Sequence, residues 1–208
     1  MDTVLEFVYA GGESYDELCR NHFTDTIRSV SKGTFGDDGD KWQTTVDGQM
    51  AQILLFDQFS RNAFRGQAEA FAYDEKAMSL ARALTRDVFS CDEAEKAAIK
   101  EKGLSLPSLQ GELYLPYMQF IMSPLLHSEQ VEDHALGEKV ADFQLDVSPE
   151  KLNNVFQMAK EAQAEHKEVV DKFGRYPHRN KSLGRESTPE ELEWLADENR
   201  PGWAKSQG

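Results

Sequence analysis

The sequence predicts an all-α fold of stacked antiparallel helix pairs, with about eight or nine helices. Three observations lead there. Nearly every patterned segment repeats its apolar residues with a period of 3.6, and none shows the strict alternation of a half-buried strand. Helix-start and helix-stop residues bracket these segments at close intervals. The links between them are short, which favours antiparallel neighbours. No signature recurs at 34 residues or a similar period, so a regular solenoid is not implied.

Taken in order, residues 1 to 10 read as a short helix or an arm, closed by Gly11 and Gly12. Ser14, with Glu17 three residues on, has the form of a capping box. Tyr15, Leu18, Cys19, Phe23, Ile27 and Val30 then recur at helical spacing, up to Gly33. Residues 34 to 40 read as a surface loop; Asp37, Asp38 and Asp40 lack the Glu and the full spacing of a calcium loop. A helix from 43 to about 60 turns Val46, Met50, Ile53, Leu54 and Phe56 inward. From about Ala68 the pattern resumes through Ala77, Leu80, Ala81, Leu84 and Val88. A helix from 92 to 102 has a favourably acidic first turn and stops at Gly103. Residues 104 to 109 form a connector.

Leu113, Leu115, Met118, Phe120, Ile121 and Met122 make the most apolar block, a buried helix that Pro124 ends. Ser128 is placed to cap a helix carrying Val131, Ala135, Val140 and Phe143. Ser148 and Pro149 supply the cap and first position of the next. Leu152, Val155, Phe156, Ala159, Gln163, His166, Val170 and Phe173 line one of its faces, and Gly174 stops it. Thr188-Pro189-Glu190-Glu191 is a second capping box, opening a helix with Leu192, Trp194 and Leu195. Arg200-Pro201-Gly202 closes it, and the last six residues read as a mobile tail. One helical domain accounts for the whole chain, with its core over about 4–196.

A chain of 208 residues is long enough for a substantial core. Its net charge of −14 argues against broad contact with nucleic acid or an anionic membrane, both of which need a positive face. No apolar run approaches the roughly 18 residues that span a bilayer. The first residues carry no basic region that would mark a secretory signal. Cys19 and Cys91 stand in no metal or redox spacing, which fits a reducing cytoplasm, and each reads as a small buried hydrophobe. No GxSxG, P-loop, Rossmann or CxxC pattern is present, so no cofactor is implied.

Against the acidic background, residues 175 to 185 hold four Lys or Arg and no acid. Three junctions gather most of the unexplained polar side chains. Residues 57–66 carry Asp57, Gln58, Arg61, Asn62 and Arg65; residues 127–129 carry His127 and Glu129; residues 175–186 carry Arg175, His178, Arg179, Asn180, Arg185 and Glu186. Guanidinium groups suit the two-point grip of a carboxylate or phosphate. His127 or His178 is suited to proton transfer near neutrality. His166, on an otherwise apolar stripe, reads first as a core histidine and joins the candidate ligand-binding set. The competing reading pairs these Arg with Asp57, Glu129 and Glu186 as helix bracing. His127, Glu129, His134, His166 and His178 show no tight metal-binding spacing, so no metal is expected.

The blocks Leu55-Phe56-Asp57-Gln58-Phe59-Ser60-Arg61-Asn62-Ala63-Phe64-Arg65-Gly66, Leu126-His127-Ser128-Glu129, Phe173-Gly174-Arg175-Tyr176-Pro177-His178-Arg179-Asn180 and Leu183-Gly184-Arg185-Glu186-Ser187-Thr188-Pro189-Glu190-Glu191 resemble the domain-of-unknown-function 924 (DUF924) family. The resemblance spans roughly residues 4 to 196. It implies a tetratricopeptide-like helical fold and a shared set of polar positions, without a reaction. Ser60 stands where the family often has Pro, and Leu115-Pro116-Tyr117 lies farther from the His-Ser-Glu block than the family's Tyr-Leu-Pro run.

Two functions are expected. The first is a pocket for a small anionic ligand, in a binding protein or an enzyme, in which Arg179→Ala lowers affinity and leaves the fold largely intact. The second is an interaction module whose helical groove takes an acidic peptide or a partner helix.

Overall fold

A computed structural model describes residues 12–90, 92–102 and 114–205; the N-terminal arm, Cys91 and the 104–109 connector lie outside these. The described residues contain no strand and nine helices longer than one turn. These are α1 (Glu13–Ser31), α2 (Gly39–Thr44), α3 (Val46–Ile53), α4 (Asp74–Ser90), α5 (Glu93–Lys102), α6 (Tyr114–His127), α7 (Val131–Val147), α8 (Asn153–Phe173) and α9 (Pro189–Ala196). The all-α prediction holds. None of the helices is long and apolar enough to cross a membrane.

Several predicted boundaries are corrected. Helix α1 is capped by Gly12, whose carbonyl accepts from the N–H groups of Tyr15 and Asp16, so Ser14 lies inside the helix. The loop predicted at 34–40 contains a 3₁₀ turn (Gly36–Asp38) and the start of α2. Thr45 then breaks the helix predicted from 43 to 60, its hydroxyl capping α3 through the Gly48 N–H. Ser128 is not the cap of α7; Gln130 is, and the Ser128 hydroxyl accepts from the Gln130 N–H. Ser148 likewise precedes a 3₁₀ turn (Glu150–Leu152) capped by Pro149, and α8 begins after it.

Two predicted helix ends are found in place. Gly174 takes the left-handed conformation (φ 68°) that ends α8. Thr188 and Glu191 form a reciprocal capping box at α9, with Pro189 at its first position.

The backbone departs furthest from the predicted register just after α3. Leu54–Phe59 forms a π-helical stretch that runs into a one-turn helix, Ser60–Ala63. A π turn widens the helix and breaks the 3.6 register. Leu55, Phe56, Asp57 and Gln58 are consequently all buried in succession, where a regular helix would have turned some of them to solvent. Pro124 does not end α6 as predicted. The helix continues one turn past it to His127. Pro124 forgoes one backbone hydrogen bond, and burial of Leu125 together with the His127–Asp57 contact offsets that loss.

Apolar faces meet in two large clusters. Met50, Ile53, Met118, Ile121, Leu125, Val140 and Phe156 join α3, α6, α7 and α8. Cys19, Ile27, Phe56, Phe64, Phe71 and Tyr73 join α1, the π segment and the approach to α4. A third, smaller cluster sets Val169, Val170 and Tyr176 against Trp194 and Trp203.

Helices α7 and α8 run antiparallel: Lys160 pairs with Asp142 at 2.5 Å and Gln163 reaches His134 at 2.8 Å. At Gly137 they pack tightly: an added Cβ would fall 2.5 Å from Gln163 Oε1. Gln163 is fully buried and held by His134, so it has little freedom to step aside. Gly137→Ala is therefore expected to cost about 1–3 kcal/mol, read as a lower urea midpoint. An unchanged midpoint would show that Gln163 can move.

Candidate functional site

The three polar junctions converge. The π segment brings Asp57 and Gln58 inward from one side, the one-turn helix after it brings Arg61, the end of α6 brings His127, and the turn after α8 brings Tyr176, His178 and Arg179. That turn is a short 3₁₀ helix, Pro177–Arg179, running into Asn180–Leu183. Four consecutive residues from Pro177 to Asn180 are buried.

At the centre, Asp57 is 1% exposed, and one of its carboxylate oxygens sits 2.7 Å from His127 Nδ1. Its other oxygen accepts from Gln58 Nε2 at 2.6 Å, and the same Gln58 nitrogen reaches Ser123 Oγ at 2.7 Å. Arg61 Nη2 lies 3.5 Å from Asp57. Burial pushes the Asp57 carboxyl up, but His127, Arg61 and Ser123 outweigh it and hold it well below the usual carboxylate range. A carboxylate on Nδ1 makes that nitrogen the donor, leaving the Nε2 lone pair outward. A quarter of the His127 side chain is exposed, and no described residue bonds its Nε2. An oriented imidazole with one open nitrogen is the arrangement of a general base.

Beside this dyad stand two buried guanidinium groups. Arg61 pairs with Asp74 at 3.0 Å and donates to the Ala70 carbonyl. Arg179 pairs with the other Asp74 oxygen at 3.1 Å and donates to the His127 carbonyl at 2.7 Å. Both cations lie over the Phe71 ring, and Arg179 also lies 4.7 Å from the Tyr176 ring centre. Burial, then the neighbouring Arg61 charge, pushes Arg179 below the usual arginine range. Arg61 Nε, Arg179 Nε and His178 Nδ1 are buried without a hydrogen-bond partner. Burial and the adjacent Arg179 and Arg61 charges depress His178 to about 2, so its imidazole is neutral. His166 is depressed to about 3, chiefly by burial, and donates through Nδ1 to the Ala162 carbonyl.

The other candidates are internal braces. Arg65 grips Asp16 with two hydrogen bonds and Asn62 with a third. Asn62 in turn donates to the Gln58 carbonyl. Arg175 holds buried Glu191, whose carboxyl falls to about 2, mainly through that hydrogen bond. Asn180 supports the same Glu191. Arg185 grips Glu129, which also accepts from the Tyr176 N–H. Burial raises the Glu129 carboxyl, and Arg185 and Tyr176 more than reverse it. The Glu186 side chain is exposed, and it is the Glu186 carbonyl that Arg175 uses.

Four residues that sequence reasoning did not single out complete the site: Phe71, Asp74, Tyr176 and Trp203. Asp74 looks like an ordinary acid in the first turn of a helix, and nothing local marks it as the anion shared by two arginines. Trp203 had a signal, since a tryptophan is rarely left in water. Within the predicted tail, of which residues 206–208 lie outside the described residues, Gly202–Lys205 forms a 3₁₀ turn with Ala204 buried and Trp203 packed on His166. A separate surface groove of about 270 Å³, lined by Asp25, Ser29, Phe35 and Trp42 among others, involves none of these groups.

A family model described as a bacterial protein of unknown function, DUF924, matches residues 2–199 of the chain. Among solved structures, a protein of unknown function from Agrobacterium tumefaciens, ATU0120, is 24% identical with a TM-score of 0.63. That match covers 94% of this chain and 96% of the other and speaks to the fold alone. No curated protein matches.

Proposed function

The chain belongs to the DUF924 family, and from that premise and the geometry above we propose that it binds a small anionic molecule beside the Asp57–His127 dyad. The molecule carries a carboxylate or a phosphate, and the dyad handles a proton on it. The observation that carries this reading is the dyad itself. A fully buried carboxylate fixes one imidazole nitrogen at 2.7 Å and leaves the other open, next to two buried guanidiniums with unused Nε–H groups. Bracing alone needs no such open nitrogen. Arg61 and Arg179 supply a positive field in a chain whose net charge is −14. We place this activity in the cytoplasm.

The alternative is a tetratricopeptide-like module for an acidic peptide or partner helix. It draws on the antiparallel α7–α8 pair and on Val155 and Met158, which stand 50% and 69% exposed on α8. An acidic peptide or helix would meet the chain's net charge of −14 over a broad face, whereas a small anion needs only the local field of Arg61 and Arg179, which favours the small ligand.

A thermal-shift screen of inorganic phosphate, nucleotides and organic acids tests the proposal. A ligand at a hundredfold its Kd adds about 2.7 kcal/mol, which for a chain of this size raises Tm by about 5–10 °C. His127→Ala should abolish any proton-transfer activity found with that ligand. No stabilisation by any of these anions would overturn the reading.

A further inference from the structure

Behind the dyad, three aromatic groups form a slot. The His166 ring lies flat against the Trp203 indole, with centroids 4.0 Å apart and planes 19° apart. Tyr176 and His178 meet the same indole edge-on, each at 5.5 Å, with interplanar angles of 77° and 75°. A flat ring in such a setting has one stacked face and two edge contacts, a geometry that ring quadrupoles favour. His166, Tyr176 and His178 are buried, while Trp203 itself is partly exposed, so the indole lies on their outer side as a cover.

Trp203 fills the shape of this slot but not its chemistry. The polar atom of the indole, Nε1–H, points away to Glu165 at 2.7 Å. Meanwhile His178, over nine-tenths buried, keeps its Nδ1 without a partner. A buried polar atom left unpaired is costly and calls for an explanation. The Arg179 guanidinium lies over the Tyr176 ring, 4.7 Å from its centre, and Arg179 and Arg61 both lie over Phe71. The slot therefore combines aromatic walls, one unused hydrogen-bonding nitrogen and a cationic floor.

We infer that Trp203 stands in for the planar ring of the ligand: the C-terminal turn is a built-in plug, and the ligand is an aromatic or heteroaromatic carboxylate or phosphate with a polar ring atom for His178. This rests on the anionic-ligand reading above and narrows it. The plug's attachment suits it for displacement. Between 197 and 205, only Ala204 is buried. The indole bonds to Glu165, while Arg200 and Lys205 bond to carbonyls of the same segment. The plug also lies beyond residue 199, where the match to the family ends. A short segment whose packing is centred on one indole can open locally without unfolding the rest of the chain.

The test compares the full chain with its Trp203→Ala variant by titration calorimetry. Indole-3-carboxylate and phenyl phosphate are the aromatic probes; acetate and inorganic phosphate are the controls. Removing a self-occupying group raises apparent affinity by the fraction of time it was in place, so the aromatic probes should bind the variant about tenfold or more tightly. The controls should change little. In the parent chain the aromatic probes should also shift tryptophan emission to the red, a shift missing from Trp203→Ala. Glu165→Ala, which leaves the indole in place and cuts its tether, should move aromatic affinity in the same direction by a smaller factor. If aromatic and non-aromatic anions gain equally, the slot is overturned and the anion site stands. If the parent chain binds anions and neither variant improves on it, the plug is overturned alone. If none of the three proteins binds any probe, both readings fall.

Discussion

Replacing Arg179 with alanine is expected to lower stability by about 3–5 kcal/mol, against the mild structural effect its place in a loop suggests. The side chain is 6% exposed and held from several sides. Its Nη1 pairs with Asp74, its Nη2 holds the His127 carbonyl, and its plane lies between the Phe71 and Tyr176 rings. Truncation would strip Asp74 of one of its two cations, leave the His127 carbonyl unpaired and open a void between two aromatic rings. Against a total stability of about 5–15 kcal/mol this is a large share. The control is Arg28→Ala. Arg28 grips Glu69 with two hydrogen bonds, but its side chain is 47% exposed, so losing it should lower the urea midpoint far less than Arg179→Ala does. Urea midpoints measured on both variants decide the matter: equal losses would mean that the buried group around Asp74 does not brace the fold. A binding defect in Arg179→Ala therefore cannot be read as lost ligand contact without this measurement, and Arg179→Lys, which keeps the charge, is the better probe of affinity.

The helices were legible because each is specified locally, by the spacing of its apolar residues and by residues such as Gly174 and Thr188 whose conformations end or begin a turn. The polar junctions were legible too, since runs such as Asp57-Gln58-Phe59-Ser60-Arg61-Asn62 mix charge with large apolar groups and leave no clear solvent face. Pairing at a distance was not. Arg179 and Asp74 are 105 residues apart, and either would be unremarked alone. Nor did the residues announce the π turn, which changes register without changing composition. Arg65, Arg175 and Arg185, alike in sequence to Arg61 and Arg179, separate from them only in space: each meets a carboxylate of its own. Arg61 and Arg179 instead share Asp74 and border the open imidazole.

Acid is expected to weaken the protein well before its carboxylates protonate. His166 and His178 have folded-state values of about 3 and about 2, against an ordinary 6.5, because burial and then neighbouring cationic and imidazole groups disfavour their charged forms. A base whose folded pKa is depressed contributes stability that is fully present above the unfolded pKa and is lost as pH falls below it. Between pH 6.5 and about 3, the unfolded chain thus takes up two protons that the folded chain refuses. Each contributes about 1.4 kcal/mol per pH unit, so by about pH 5 the loss is roughly 4 kcal/mol. His134, also depressed mainly by burial, adds in the same direction. Depressed carboxylates such as Glu129 and Glu191 act in a lower window, since their contributions persist until pH falls below their ordinary 4.5. Urea unfolding at about pH 7.5 and about pH 5 separates the two windows. His166→Gln and His178→Gln should each remove close to half of the fall, and the double variant most of it. A parent chain equally stable at both pH values, or a double variant that falls as steeply, would mean that these imidazoles are not held neutral. That would remove the physical basis for treating the ring slot as an uncharged surface set against a cationic floor.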